Sequence, residues 1–339
     1  MATDEATLAP EVTVWADTAG AGAASAVLDR MGSAVRPIGV GGPRVTAVDQ
    51  LARTLGCARE DDLRKMLVDR PAAFLLLATM RQASVEDVLT AVRQGTLVLA
   101  LEPVAEELRE LSAIGSGGGR PTGDAEAGPA GRIVAAPAFD QSPGYLSAAE
   151  PGEALGEPRT IRYESLGQAG EGSLYARLLD GWRTVLEFSS LPMTVDASLA
   201  GAVAESPESL RDLAGALTAH GRMNDGSSAV LHVADRAGES RRALCVLGGE
   251  GQLRVDDVSY GLWQTTGELL DDARPETGAS FADLVSWQWR RLIDRLDGVL
   301  PEPASPRREA EALACCLASL LSIRTGQPES PAKLVQMGR

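Results

Sequence analysis

Residues 61–103 read DDLRKMLVDRP, AAFLLLA, TMRQAS, VEDVLTAVRQG and TLVLALEP, with breaks after residues 71, 78, 84 and 95. The runs at 72–78 and 96–101 are apolar without alternation, which is typical of strands buried on both faces of a parallel sheet. The segment between them has an N-cap serine, Ser84, then apolar residues at helical spacing, and a terminal glycine, Gly95. A strand, a helix and a second strand joined this closely predict a βαβ unit with a parallel sheet.

The chain before this unit alternates strands and helices in the same way. We predict a first strand at 11–16, a helix at 26–32, a second strand at 35–40 and a helix at 45–55. This order, followed by the βαβ unit, is that of a doubly wound nucleotide-binding domain.

The chain after this unit passes through a Gly- and Pro-rich linker at 115–131 and then changes character. Short strands are predicted at 132–136, 158–163, 192–200, 230–233, 243–247 and 252–255, and helices at 281–296 and 307–324. We therefore predict an α/β protein of two domains. Residues 1–131 form a Rossmann-like doubly wound parallel sheet. Residues 132–339 form an α/β domain with an open, mostly antiparallel sheet, whose C-terminal helix is free to pack back on the first domain.

The composition excludes several classes of function. The 339 residues carry a net charge of -15 at an estimated pI of 4.7, and aromatic residues make up 4% of the chain. Nucleic acids and anionic membranes both require a basic face, and single strands also require aromatic stacking platforms. We therefore expect neither nucleic acid nor membrane among the partners.

The cysteines and the N-terminus bear on metals and on compartment. Cys57, Cys245, Cys315 and Cys316 form no CxxC pair, so we predict neither a metal site nor a disulfide framework. The opening residues lack the basic and apolar regions of a signal peptide, and no apolar run reaches the roughly 18 residues of a membrane helix. The expected location is the cytoplasm.

The glycine pattern near the first strand is an incomplete dinucleotide fingerprint. The fingerprint is Gly-x-Gly-x-x-Gly directly after a strand, so that the pyrophosphate meets a helix N-terminus. Gly20-Ala-Gly22-Ala-Ala-Ser25 supplies two glycines and a small third residue, but begins several residues after the strand. No acidic residue follows the second strand, where Arg44 would suit a 2′-phosphate. The alternative is that Gly20 and Gly22 only form a turn and Arg44 is solvated.

The segment AVRQGTLVLALEP at 91–103 resembles the glucose-fructose oxidoreductase / inositol dehydrogenase / MocA (Gfo/Idh/MocA) family. Family members have a helix ending Ala-Gly-Lys-His-Val and a strand ending Glu-Lys-Pro. Pro103 matches, whereas Leu101 stands at the family's Glu and Glu102 at its catalytic Lys. The order of elements and the closing SIRTGQP at 322–328 extend the resemblance over nearly the whole chain.

The resemblance implies a dinucleotide cofactor, NAD or NADP, and a set of site residues. The family's catalytic Asp and the His four residues later correspond to Asp180 and Thr184. The implied catalytic positions are thus Glu102, Asp180 and Thr184, and the implied cofactor contacts are Gly20, Gly22, Ser25, Arg44, Thr79 and Pro103.

Two of the three catalytic positions carry substitutions that bear on activity. Threonine does not titrate usefully, and Glu102 is either a base with a pKa raised by burial or an ordinary surface residue. Three functions remain open: a non-catalytic subunit or binding protein, an active NAD(P)-dependent oxidoreductase on a sugar, polyol or related compound, and a regulatory or scaffold protein without a dinucleotide.

The expected partners are a small-molecule ligand and a second protein chain. Alternating apolar residues in two strands, Leu244, Val246, Leu253 and Val255, indicate a sheet face that must be covered. Family members commonly cover it with another subunit, so we predict a homo-oligomer or a complex with a related subunit.

Overall fold

The computed structural model describes residues 9–116, 129–201, 206–275, 277–294 and 306–338, which form two sheets and their helices. The first sheet has six strands, all parallel, in the order β3-β2-β1-β4-β5-β6. Its strands are β1 Glu11–Trp15, β2 Arg36–Gly41, β3 Ala58–Glu60, β4 Phe74–Leu77, β5 Leu97–Ala100 and β6 Ile133–Ala135. Its helices are α1 Gly20–Met31, α2 Thr46–Thr54, α3 Leu63–Asp69, α4 Val85–Arg93 and α5 Leu108–Ser116. This is a strand order typical of a doubly wound parallel sheet, the class of sheet predicted from the sequence.

The βαβ unit at the centre of this sheet forms for the reasons given by its sequence. Every residue of β4 and β5 is buried, as a strand covered on both faces requires. Helix α4 starts with a reciprocal capping box, in which the Ser84 side chain accepts from the Asp87 N–H and the Asp87 side chain accepts from the Ser84 N–H. The two strands are therefore joined by a short, well-defined helix.

The second sheet has eight strands in the order β14-β13-β12-β11-β7-β10-β9-β8. Only the β7–β10 pair is parallel among the described strands of this sheet. Its strands are β7 Pro158–Leu166, β8 Thr194–Ala200, β9 Ala216–Arg222, β10 Ser228–Ala234, β11 Arg241–Gly248, β12 Gly251–Asp256, β13 Tyr260–Gln264 and β14 Leu269–Ala273. The remaining helices are α6 Pro143–Ala148, α7 Leu174–Phe188, α8 Phe281–Ile293, α9 Pro306–Thr325 and α10 Pro331–Met337. The predicted α/β class, with a mostly antiparallel second sheet, is confirmed.

Several elements differ from their predicted bounds. Helix α1 begins at Gly20 and not at residue 26, because the Asp17 side chain accepts from the Gly20 N–H and starts the helix early. Strands β3, β9, β13 and β14 and helix α10 were not predicted, since most are short and β14 carries two consecutive exposed leucines in place of alternation. None of the described helices is long and apolar enough to span a bilayer.

The four apolar residues behind the oligomer prediction face the chain's own core. Leu244, Val246, Leu253 and Val255 are at most 3% exposed and pack in one cluster with Leu178 and other residues of α7. The face is therefore covered within the chain, so this argument for a second subunit was wrong. The assembly itself stays a prediction.

Helix α8 returns from the second half of the chain to cover the first sheet. Its Trp289 is fully buried and meets the ring of Phe74 edge-on at 5.5 Å between centroids. Ser286 Oγ donates to the Val27 carbonyl of α1 at 3.3 Å. The domain boundary was expected at residue 131, but β6 lies after it and is the last strand of the first sheet. The first sheet therefore extends beyond the expected boundary.

We predict that Trp289→Ala destabilises the protein by about 3–5 kcal/mol, because it removes a fully buried ring from the α8–sheet contact. Trp287→Ala is the matched control. Trp287 is only half-buried and stacks under Arg291, so its loss should cost about 1 kcal/mol. Urea denaturation monitored by circular dichroism measures both. Equal losses would show that α8 is not anchored through Trp289.

Candidate functional site

A cavity of about 280 Å³ lies between elements of the two sheets and the helices packed on them. Residues 100–105, which follow β5, and residues 133–138, in and after β6, form one side of it. The N-terminal half of α7 and the start of β11 form the other side. The cleft therefore lies at the carboxyl ends of the parallel strands, where open α/β sheets bind ligands.

The Glu102 side chain lines this cleft and hydrogen-bonds the segment after β5 to the start of α7. Its carboxylate accepts from the Ser173 N–H at 2.8 Å and from Ser173 Oγ at 2.5 Å. Ser173 is the N-cap of α7, and its Oγ also accepts from the Ala176 N–H. Burial raises the pKa of Glu102 to about 7 in spite of the hydrogen bonds from Ser173. Glu102 is thus a half-buried carboxyl whose pKa is raised toward neutrality, and not a solvated surface residue.

Asp180 also lines the cleft, but its carboxylate is fully engaged. It accepts from the Tyr163 hydroxyl at 2.6 Å, from the Phe139 N–H at 2.9 Å and from Arg242 Nη1 at 3.2 Å. Arg242 is itself buried and donates through Nε to Asp257 at 2.8 Å. This network ties α7 to β7 and β11, which gives Asp180 a structural position in the wall of the cleft.

Thr184 lies outside the cleft. The residue is 1% exposed, and its Oγ1 donates to the Asp180 carbonyl one turn earlier at 2.8 Å. The residues of α7 that line the cleft beyond Asp180 are Arg183 and Glu187. The structure therefore brings Glu102 and Asp180 to one cavity and leaves Thr184 in the core.

The N-terminus of α1, where a pyrophosphate would be expected, carries a carboxylate of the chain. Asp17 Oδ1 accepts from the N–H groups of Ala19 and Gly20 at 3.0 and 2.9 Å. Asp17 Oδ2 accepts from Thr79 Oγ1 at 3.2 Å. The donors that would hold an anionic ligand here are bonded to Asp17, and Thr79 is bonded to it as well.

The predicted glycine loop is not a loop. Gly20 and Gly22 lie in the first turn of α1, and Ser25 follows in the same helix. Gly20 is required by packing, because a Cβ there would lie 2.6 Å from the Ala78 carbonyl oxygen, whereas a Cβ at Gly22 would meet no atom within 4 Å. Exposed Arg44 pairs with Asp61 instead of facing the cleft. Of the remaining predicted cofactor contacts, Thr79 lies beside Asp17 and Pro103 lines the cavity.

The loop at 167–172, between β7 and α7, lies against the N-terminus of α1. Gly170 has φ +91°, and a Cβ there would lie 2.9 Å from the Ala19 carbonyl oxygen. Buried Arg177 holds this loop by donating to the Glu171 carbonyl at 2.5 Å. Gly167 leaves room for it, because a Cβ there would lie 1.5 Å from the guanidinium. The loop therefore packs against the helix end at which a dinucleotide would be expected, and its residues 168–171 share a pocket with Ala19, Gly22 and Ala23.

Asp140 is a cleft residue that the sequence interpretation missed. It lies in the short 3-10 helix Phe139–Gln141 and lines the cavity. Burial raises its pKa to about 6, and the neighbouring Asp180 adds to the shift. No pattern in the sequence marks it, since its neighbours come from α7, more than thirty residues later. Within the described residues, no three His, Cys, Asp or Glu side chains are grouped to hold a metal ion.

No family model and no curated protein sequence matches the chain. Solved structures do match over nearly their full length. UDP-N-acetylglucosamine 3-dehydrogenase GnnA from Acidithiobacillus ferrooxidans is 16% identical at a TM-score of 0.65, covering 93% of this chain and 97% of that one. An oxidoreductase from Agrobacterium radiobacter, solved with NAD+, L-tartaric acid and magnesium, is 14% identical at 0.67, with 96% and 99% covered. An NAD binding oxidoreductase from Klebsiella pneumoniae is 13% identical at 0.64, with 94% and 98% covered. At these identities the likeness shows the fold, which is that of these oxidoreductases.

We predict that Glu102→Gln flattens the pH dependence of stability between about pH 4.5 and 7. The folded-state pKa, about 7, is above the ordinary value of 4.5, so the folded protein holds this proton more tightly than the unfolded chain. Wild-type stability should therefore fall as the pH rises through this window, by on the order of 2 kcal/mol. Glutamine does not titrate, and its amide oxygen can still accept from the Ser173 N–H while its NH2 group donates to Ser173 Oγ.

Urea denaturation at several pH values measures this effect. Glu153→Gln is the matched control, because Glu153 is exposed and should leave the wild-type pH dependence unchanged. An unaltered slope in Glu102→Gln would show that Glu102 is charged across the whole window.

Proposed function

We propose that this chain is a divergent member of the Gfo/Idh/MocA family that binds a small organic ligand in its interdomain cleft and performs no dinucleotide-dependent hydride transfer. It would act as a binding protein or as a non-catalytic subunit. The observation that carries the proposal is the Asp17 carboxylate on the N-terminus of α1.

Electrostatics and space both support this proposal. Two like unit charges 4 Å apart repel by about 4 kcal/mol at an effective dielectric constant of about 20. A pyrophosphate at α1 would meet the Asp17 charge and would find the Ala19 and Gly20 N–H groups already bonded. The loop at 167–172 also packs against this helix end, with Gly170 at the Ala19 carbonyl. A dinucleotide therefore faces a charge penalty, and the loop narrows the space beside it.

The chemistry of the cleft points the same way. A lysine at position 102 would stabilise a developing alkoxide, whereas a carboxylate repels it. Asp180 is held in a buried ion pair, and Thr184 neither titrates nor reaches the cleft. Within the described residues that line the cavity, no lysine or histidine is present to move a proton.

The second candidate is an active oxidoreductase that uses Glu102 as its acid or base. The observation that favours it is the pKa of Glu102, raised to about 7 by burial, which is the range of an effective general acid or base. This alternative also requires Asp17 to give way to the cofactor.

Titration calorimetry with NADH and NADPH separates these functions. We expect no binding to the wild-type protein at millimolar nucleotide. Asp17→Asn keeps a capping side chain but removes the charge, so it should raise nucleotide affinity by about 10-fold or more. Asp29→Asn, an exposed charge removal on the same helix, is the control. Micromolar affinity of the wild type, or NAD(P)H production from sugars or polyols, would refute the proposal.

The assembly is proposed on the resemblance alone, as a homo-oligomer or a complex with a related subunit. Light scattering of the purified protein measures it, and a mass of 35.4 kDa, with and without such a subunit, would refute it.

A further inference from the structure

The charged groups around α7 in the cleft do not balance. The described residues that line the cavity include the carboxylates Glu102, Asp140, Glu171, Asp180, Glu187, Asp257 and Glu309 and the arginines Arg177, Arg183, Arg241, Arg242, Arg291 and Arg308. Arg183, Arg242 and Arg308 have carboxylate partners within this set, and Arg177 donates to Ser165 and to backbone carbonyls. Glu102 and Glu171 form no ion pair with a described residue but accept hydrogen bonds from Ser173 and Ser240, whereas Asp140 forms no such ion pair and has only the Gln141 side chain beside it as a hydrogen-bond partner.

The pairing of the arginines is tight. Arg183 donates through Nε and Nη2 to Glu309 at 2.9 and 2.6 Å. Arg308 pairs with Glu187. Buried Arg242 lies between Asp180 and Asp257. Arg183 and Arg242 cannot leave their partners to neutralise Asp140 without leaving another buried or half-buried carboxylate unpaired, whereas the Arg308–Glu187 pair is exposed.

Asp140 is held in a fixed position at the cavity wall. The Phe139 N–H donates to Asp180, and the Ala138 N–H donates to Gln288 Oε1 of α8 at 3.1 Å. Gln288 in turn donates to the Ala135 carbonyl at 2.8 Å. The turn that carries Asp140 is thus fixed from α7 and from α8, while the Asp140 side chain itself makes no salt bridge and lines the cavity.

The other side of the cavity is apolar. It is lined by Val104, Ile114, Ile133, Phe281, Leu284 and Leu292. The volume of about 280 Å³ is near the lower end of the roughly 300–1,000 Å³ range of ligand pockets. A small ligand with one charged end and one apolar end fits both surfaces.

We propose that the cleft binds a small organic cation, with its ammonium group on Asp140 and its apolar body against the wall formed by α8 and the ends of β5 and β6. This rests on the proposed function, because it requires the cleft to be a binding site. An ammonium group would supply the direct ion-pair partner that Asp140 lacks among the described side chains, and a charge-assisted hydrogen bond in a largely buried site is strong.

Benzylamine, benzyl alcohol and benzoate test this, because they share one apolar body and differ in charge. Titration calorimetry without dinucleotide should show benzylamine binding at least about 10-fold more tightly than either. Asp140→Asn should abolish the preference, and Asp29→Asn should keep it. The preference should also fall as the pH is lowered through about 6, since Asp140 then takes up a proton among Asp180, Arg183 and Glu187.

Three results would overturn the proposal. These are equal binding of amine and alcohol, a preference that survives Asp140→Asn in a folded protein, and no binding of benzylamine to the wild type. Loss of the preference in Glu102→Gln but not in Asp140→Asn would move the cation to Glu102 and refute the assignment to Asp140. NADH binding to the wild type would refute the proposed function separately, because the amine titrations contain no nucleotide.

Discussion

At the N-termini of two helices, α1 and α7, a carboxylate from the segment that follows a strand of the first sheet accepts from backbone N–H groups. Asp17 does so at α1, and Glu102 does so at Ser173, the N-cap of α7. The partial positive charge of both helix ends is therefore compensated within the chain. In the dinucleotide-binding arrangement, the first of these ends meets the phosphates of a ligand. In this chain, carboxylates of Asp17 and Glu102 accept from backbone N–H groups at both ends.

Carboxylates of the chain also determine the electrostatics of the cleft. Asp17 adds to the raised pKa of Glu102, and Asp180 adds to that of Asp140, so acidic groups influence one another across the site. Arginines are held in fixed pairs with Asp180, Asp257 and Glu309. Such pairs rigidify the wall of a cleft, but they leave little positive potential for an anionic ligand.

The sequence was informative about the fold and much less about the site. The apolar runs at 72–78 and 96–101 predict buried parallel strands because burial on both faces leaves only apolar residues in them. Glu102 was recognised because it adjoins Pro103 in a strand-end motif. Asp140, Arg242 and Asp180 meet only through the packing of α7 on β7 and β11, which no local pattern encodes. Gly20 and Gly22 suggested a phosphate loop, but α1 begins at Gly20, whose N–H donates to the Asp17 side chain.

The late position of helix α8 in the sequence affects how the chain folds. The groove that receives Trp289 is built by β4 and α1, near the start of the chain, whereas α8 lies more than 200 residues later. During synthesis the first sheet therefore emerges with this apolar groove open, and it closes only when residues 281–293 leave the ribosome. A fragment that ends after β6 has all six strands of that sheet but not its cover. The strands of the first sheet therefore come from one continuous part of the chain, whereas the helix that completes its core comes from residues 281–293.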